Sequence, residues 1–173
     1  PMPDYIRKGS RLAFDIQLLK IQNAAEVEAQ IRKDLEERFI DEKKMLDNYI
    51  SENKITRKPF KSGLYVIVTE KTKGKIPVRG NKISVHYTGK FLTEEIFDSD
   101  DPKHPYLFEL GVGKILAGWE EAFSMLREGE KATLILPSQL AYGENGKRSP
   151  TSGVYIVPPY TPLIYEVEVI SVQ

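Results

Sequence analysis

The apolar residues follow different periods in the first two blocks of the chain. In residues 11–21 they fall on every second position, and this alternation predicts a β-strand with one apolar face. That face carries Leu12, Phe14, Ile16 and Leu18. In residues 24–53 apolar side chains recur at every fourth position among charged residues, which predicts an amphipathic helix.

The predicted helix is long, and its apolar stripe is narrow. The stripe consists of Val27, Ile31, Leu35 and Phe39. Asn23 is a suitable N-cap, and Glu26 three residues later is close to the spacing of a capping box. At about 1.5 Å per residue the helix would measure roughly 45 Å, more than one small domain normally covers. Three surroundings for the stripe stay open: the chain's own domain, a partner or second copy of the chain, and partial solvation as a spacer.

After a polar connector at 54–62, the chain becomes a series of short strands and turns. The predicted strands cover 64–70, 82–88, 131–136 and 163–172. One short helical segment, 118–127, places Trp119, Phe123 and Leu126 on a single face. Many strands with one short helix indicate the α+β class, with an antiparallel sheet wrapped around that helix. The strand at 11–21 and the long helix precede this sheet.

Composition and charge narrow the range of functions. The chain has 173 residues, and its 25 basic and 25 acidic residues cancel, which predicts no general attraction for nucleic acid. There is no cysteine, and two isolated histidines suggest no metal site, so we expect neither a metal nor a cofactor. No stretch approaches the roughly 20 apolar residues of a membrane-spanning helix.

Seven short motifs of the C-terminal block occur in a fixed order. They are VHYTG at 85–89, FDS at 97–99, LG at 110–111, GWEE at 118–121, AYG at 141–143, IVPP at 156–159 and LIYEVE at 163–168. In this order and spacing they resemble the FKBP family of peptidyl-prolyl isomerases over residues 61–173. The resemblance implies a five- or six-stranded, strongly curved antiparallel sheet around one short helix, which agrees with the strands predicted above.

The resemblance also implies which residues form the site. Trp119 would be the pocket floor, and Asp98 and Tyr142 would supply polar groups at the rim. The backbone N–H of Leu116 and the carbonyl of Ile156 or its neighbour would join them there. The catalytic set would be Asp98, Tyr142, Trp119, Tyr87 and Phe97. The substrate-binding walls would include Tyr106, Phe108, Ile115, Leu116, Ile156, Val157 and Tyr165.

These residue types suit the isomerisation of a proline peptide bond. Twisting the amide removes its resonance and shifts charge off the carbonyl oxygen, so an apolar pocket favours the twisted form. A hydroxyl such as that of Tyr142 can hold a neighbouring substrate carbonyl. Tyr106 and Tyr165 stand where many members of the family have phenylalanine. A lengthened loop at 144–155, which contains Lys147, lies beside the pocket, and we expect these departures to affect substrate preference and drug affinity.

Residues 11–22 resemble the C-terminus of the same chain, residues 162–173, in register. We interpret residues 1–22 as the remnant of an upstream FKBP-like repeat, with chance likeness between two amphipathic strands as the alternative. Residues 23–60 then form the long helix and its connector. Residues 61–173 form the isomerase domain.

The leading hypothesis is a peptidyl-prolyl isomerase that acts on proline-containing polypeptides and assists protein folding. The alternative is an FKBP-fold binding module or chaperone with weak or no isomerase activity. The resemblance further implies macrolide inhibitors, tacrolimus and rapamycin, and a homodimer through the 24–53 helix. It also implies a location in the periplasm or cell envelope of a bacterium, with the cytoplasm as the alternative.

Overall fold

The computed structural model describes Gln17 and residues 23–173. The strand predicted at 11–21 and the repeat remnant at 1–22 lie outside the described residues except for Gln17, so both stay predictions. The contacts within the chain divide it into a unit that ends at Leu35 and a second unit, Glu36–Gln173. This division falls inside the long helix, and the predicted boundaries at 22 and 60 stay predictions.

The first element is the helix α1, Ala24–Glu52, which confirms the helix predicted at 24–53. It begins with a complete capping box. The side-chain oxygen of Asn23 accepts the Glu26 N–H at 2.9 Å, and the Glu26 carboxylate accepts the Asn23 N–H at 3.1 Å. The stripe side chains are exposed, from 38% at Leu35 to 60% at Phe39. The described residues therefore leave the stripe exposed, and the three surroundings named above stay predictions.

An antiparallel sheet forms most of the second unit, as the sequence predicts. Its strands are β1 (Tyr65–Glu70), β2 (Lys82–Phe91), β3 (Ile96–Ser99), β4 (Tyr106–Glu109), β5 (Lys131–Leu136) and, after the hairpin strands β6 (Lys147–Arg148) and β7 (Tyr155–Val157), β8 (Leu163–Val172). The order across the sheet is β1-β5-β8-β2-β3, and β4 pairs with the opposite end of β2 from β3. β6 and β7 pair only with each other.

The short helix α2, Ala117–Phe123, packs into the core formed by the sheet. It ends earlier than the predicted 118–127, although Leu126 is still buried. Gly118 lies so close to β5 that an added Cβ would stand 2.5 Å from Cδ2 of Leu136. Any larger residue at position 118 would therefore push the helix away from the sheet.

A second glycine makes room for aromatic rings beside the site. Gly89 of β2 pairs with Tyr165 of β8. A Cβ on Gly89 would come within 2.8 Å of the Phe97 ring and 2.9 Å of the Tyr165 ring. The pairing of β2 with β3 also shifts register next to Gly89, and such bulges bend a strand. The absent side chain thus lets β8 and β3, which flank β2, bring Tyr165 and Phe97 together.

We expect Gly118→Ala to destabilise the protein by about 1–3 kcal/mol, because the added methyl overpacks the contact with Leu136. The sign of the change in the free energy of unfolding is diagnostic, because the same substitution at an uncrowded position of a helix stabilises by about 0.5–1 kcal/mol. Urea denaturation followed by far-ultraviolet circular dichroism measures the free energy of unfolding. A variant more stable than the wild type would contradict the close approach of α2 to β5.

Candidate active site

A cavity of about 480 Å³ opens beside α2, and every neighbouring element contributes to its lining. Tyr87 comes from β2, Asp98 from β3, Tyr106 from β4, Trp119 from α2 and Tyr165 from β8. Two loops complete the lining. The full set is Tyr87, Asp98, Tyr106, Gly113, Lys114, Ile115, Leu116, Trp119, Tyr142, Lys147 and Tyr165. Residues far apart in the sequence therefore meet in one concave, largely aromatic site.

Eight of the twelve predicted site residues line this cavity: Tyr87, Asp98, Tyr106, Ile115, Leu116, Trp119, Tyr142 and Tyr165. The other four lie in or adjacent to the core of the sheet and α2. Phe108 and Val157 are buried in the core, and Phe97 and Ile156 pack against it. Phe97 contacts the Tyr165 ring, and Phe108 contacts the Trp119 ring, each with centroids 5.9 Å apart. These four residues pack around the lining, and their predicted roles in substrate binding stay predictions.

Trp119 is the centre of the aromatic cluster. Its side chain is only 4% exposed, and its ring meets Tyr87 and Tyr165 edge to face, both with centroids 5.1 Å apart. Phe123, one turn later in α2, packs against the other side at 5.3 Å. Edge-to-face pairs of this kind contribute roughly 0.5–1.5 kcal/mol each beyond the area they bury. The indole is therefore held in a fixed orientation at the base of the cavity.

An ion pair lies at the rim of the cavity. The Lys147 ammonium donates to the Asp98 carboxylate at 2.8 Å and lies 5.5 Å from the centre of the Tyr142 ring. Both charged side chains are about one-third exposed, so water weakens the attraction between them. Lys147 is not among the predicted site residues, although the loop that carries it is predicted to lie beside the pocket. The two residues predicted for the polar rim, Asp98 and Tyr142, thus share one cationic neighbour.

The lengthened loop contains an ordered hairpin. β6 and β7 pair Lys147 with Val157 and Arg148 with Tyr155. The guanidinium of Arg148 stacks over the Tyr155 ring at 3.6 Å, which fixes the outer face of the hairpin. Val157 is fully buried and anchors the inner strand. The hairpin therefore presents Lys147 to the cavity from a fixed base.

On the opposite side of the cavity, a glutamate of α2 holds the loop before the helix. The Glu120 carboxylate accepts the Gly111 N–H at 2.6 Å and the Gly113 N–H at 3.0 Å. Charge-assisted bonds to backbone amides are stronger than neutral ones. Ile115 and Leu116 follow directly and line the cavity. The residues of this wall are thus connected to α2 through Glu120.

Burial raises the pKa of two tyrosine hydroxyls of the cavity and keeps their protons on. Burial first, and then the Asp98 carboxylate, raise the pKa of Tyr87 to about 12. Burial and the neighbouring Tyr142 raise the pKa of Tyr165 far above its usual range. Burial lowers the pKa of Lys147, but the hydrogen bond to Asp98 and the nearby Tyr142 outweigh it and raise that pKa. At neutral pH, Tyr87 and Tyr165 are therefore hydrogen-bond donors and Lys147 is a cation.

Comparison with known sequences identifies the family. Residues 73–170 match the sequence profile of FKBP-type peptidyl-prolyl cis-trans isomerases. The chain belongs to this family of isomerases. It is 38% identical over 111 residues to the FK506-binding protein of Neisseria meningitidis serogroup B, a match that covers 64% of this chain and 96% of the relative. It is 35% identical over 111 residues to the FKBP-type 22 kDa peptidyl-prolyl cis-trans isomerase of Escherichia coli, covering 64% of this chain and 50% of that relative.

Solved structures agree with the fold. AtFKBP13 superposes with a TM-score of 0.61 at 30% identity, over 66% of this chain and 97% of that one. A peptidyl-prolyl cis-trans isomerase from Pseudomonas syringae pv. tomato superposes with a TM-score of 0.66 at 26% identity, over 80% of this chain and 95% of that one. The predicted α+β, FKBP-like architecture is confirmed.

The raised pKa of Tyr87 is testable by alkaline titration. The tyrosinate absorbance of the wild type minus that of Tyr87→Phe should show one group with a pKa of about 12. An unfolded tyrosine titrates near 10.0, so between pH 10 and 12 only the folded state keeps this proton. Tyr87 therefore lowers the free energy of unfolding as the pH rises through that window. A difference curve centred at 10.0 would show that Tyr87 faces water.

Proposed function

We propose that this chain isomerises X-Pro bonds of polypeptides in the cavity above Trp119 and thereby assists protein folding. The observation that carries the proposal is the aromatic floor and walls, with the charged pair Asp98 and Lys147 at the rim. A proline ring is apolar and compact, and it suits a cavity floored by an indole and walled by Tyr87 and Tyr165.

The chemistry follows from the barrier of the prolyl amide. The barrier, about 18–20 kcal/mol, arises from resonance that the planar amide has and the twisted amide lacks. The twisted amide carries less charge on its carbonyl oxygen and is therefore the less polar of the two states. A site that excludes water and surrounds the amide with rings stabilises the twisted state relative to the planar one.

The rim residues have an orienting role in this proposal. The Tyr142 hydroxyl is proposed to donate to a substrate carbonyl next to the proline, which fixes one end of the bond while the other rotates. Asp98, which shares the neighbour Lys147 with Tyr142, is proposed to orient the substrate as well. No covalent intermediate and no proton transfer is required, which fits side chains such as Tyr87 and Tyr165 that keep their protons.

The same cavity is proposed to bind tacrolimus and rapamycin, since the Neisseria relatives carry the name FK506-binding protein. Lys147 lies at the rim and is the residue most suited to alter the affinity for such large rings.

A location in the bacterial cell envelope is proposed from the family resemblance alone. Among the described residues, no helix has the length and apolarity to cross a membrane.

An FKBP-fold binding module is the second candidate, because the apolar stripe of α1 is exposed and offers a surface to other chains. A short peptide with one X-Pro bond, assayed by two-dimensional exchange NMR, separates the two candidates. Acceleration of exchange by the folded protein supports the enzyme. Binding without acceleration supports the module. A test protein whose refolding is limited by a prolyl bond then measures folding assistance.

We expect Asp98→Val and Tyr142→Phe each to lower kcat/KM by about tenfold, the size of one lost charged or well-oriented hydrogen bond. Both variants should unfold at nearly the wild-type temperature, since both side chains lie at the rim. Tyr155→Phe is the matched control, because it removes a hydroxyl from the hairpin outside the cavity and should leave kcat/KM unchanged. Full activity in the Asp98→Val and Tyr142→Phe double variant would show that the rim is not used.

The exposed stripe of α1 also supports the proposed homodimer. Phe39, which is 60% exposed, is the most exposed of its four side chains. Sedimentation velocity of the wild type should give the mass of a dimer, and Phe39→Glu should shift it to a monomer because a charge cannot be buried unpaired. Val154→Glu, at a site 66% exposed elsewhere on the surface, should leave the dimer intact. A wild type that stays monomeric at all concentrations would rule out a dimer interface at the α1 stripe.

A further inference from the structure

Glu42 is the one buried residue of α1. Its side chain is only 5% exposed, whereas the other acidic residues of the helix are exposed to solvent. Burial of a carboxylate is costly unless hydrogen bonds replace its water. A buried acid on a helix that is otherwise solvated therefore indicates a specific partner.

The partner of Glu42 is Ser138, which donates to both oxygens of the Glu42 carboxylate. Oε1 accepts the Ser138 N–H at 2.5 Å, and Oε2 accepts the Ser138 hydroxyl at 2.7 Å. Ser138 is itself buried and begins the short 3-10 helix Ser138–Leu140. The preceding residue, Pro137, supplies no side-chain cap to this helix. The Glu42 carboxylate caps this helix instead, from α1, 96 residues away in the sequence.

Ser138 in turn holds the segment around Tyr142. Its carbonyl accepts the N–H of Ala141 at 2.9 Å and the N–H of Gly143 at 2.8 Å. These two residues flank Tyr142 on either side. Every backbone and side-chain polar group of Ser138 is therefore engaged, two with Glu42 and one with the residues that bracket the rim tyrosine.

A second contact from the same helix meets the other side of this segment. The Gly143 carbonyl accepts the Tyr160 N–H at 2.9 Å, and the Arg38 guanidinium lies 5.3 Å from the centre of the Tyr160 ring. Arg38 is one helical turn before Glu42, so both lie on the same face of α1. The helix thus contacts the Tyr142 segment directly at Ser138 and indirectly through Tyr160.

We propose that Glu42 is a positioning residue for the isomerase site: through Ser138 it fixes where the Tyr142 hydroxyl meets the substrate. The proposal rests on the proposed function for its effect on catalysis, but not for its effect on the segment 138–143. It places residues 36–52 within the working enzyme, so a fragment that begins at residue 61 lacks part of the support for its own site.

The first experiment measures kcat and KM of Glu42 variants under conditions where circular dichroism shows them folded. Glu42→Ala should lower kcat/KM by about tenfold, mostly in kcat, because a misplaced orienting group costs rate more than binding. Glu42→Gln should stay within about twofold of wild type, because an amide supplies one acceptor for the Ser138 N–H and one donor for its hydroxyl oxygen. Tyr49→Phe is the matched control, since it removes a different bond from α1, to Glu94 at 2.8 Å, and should change nothing.

A double-mutant cycle separates positioning from general stability. In a Tyr142→Phe background, Glu42→Ala should lower kcat/KM by less than about twofold, because the hydroxyl that Glu42 positions is already absent. The full tenfold loss in that background would overturn the proposal, as would wild-type kcat/KM in Glu42→Ala itself. If Glu42→Ala does not fold, Ser138→Ala replaces it as the test. This variant should lower kcat/KM by about threefold, because it loses the hydroxyl bond to Glu42. An unchanged kcat/KM would overturn the proposal.

Amide hydrogen exchange tests the same link without any activity. The amides of Ala141 and Gly143 should exchange at least about tenfold faster in Glu42→Ala than in wild type, while Tyr49→Phe leaves them unchanged. Unaltered protection of both amides would overturn the positioning role. If the wild type shows no isomerase rate, the proposed function fails on its own, and the exchange experiment still decides the role of Glu42.

Discussion

The structure depends on the contact between the Trp119 indole and the aromatic side chains of the sheet. This contact joins α2 to β2 and β8, and it is both the end of the hydrophobic core and the base of the cavity. It requires a close approach of helix and sheet, which Gly118 permits by leaving room for Leu136. Core packing and site geometry are therefore one constraint here. A change that loosens the core also displaces the cavity floor.

The polar parts of the site are held by a different kind of support. Each rim segment is connected to a separate carboxylate: the loop before α2 to Glu120, the Lys147 hairpin to Asp98, and the Tyr142 segment to Glu42. Carboxylates suit this task because each offers two acceptor oxygens and can join two donors at once. The floor is thus fixed by apolar packing, whereas the rim is fixed by directional bonds.

Much of this arrangement was predictable from the sequence. Period and motif order gave the long helix, its capping box, the antiparallel sheet and eight residues of the cavity lining. The other four predicted site residues pack in or against the core beside the lining, and a motif names neighbours in sequence but not which of two adjacent rings faces the cavity. The sequence does not single out Glu42 as a buried residue, because nothing in its local sequence distinguishes it from the other glutamates of a charged helix. Its partner lies 96 residues away, and only the tertiary structure brings them together.

The cavity floor is made by the only tryptophan of the chain. The chain has nine tyrosines, and two of them, Tyr87 and Tyr165, meet the indole with centroids 5.1 Å apart. At such a separation excitation absorbed by these two phenol rings passes to the indole, so the emission that it produces arises from one buried position. The protein therefore carries its own fluorescent reporter where a ligand would rest. Occupancy of the cavity is readable from emission colour and intensity, with no attached dye and no altered residue.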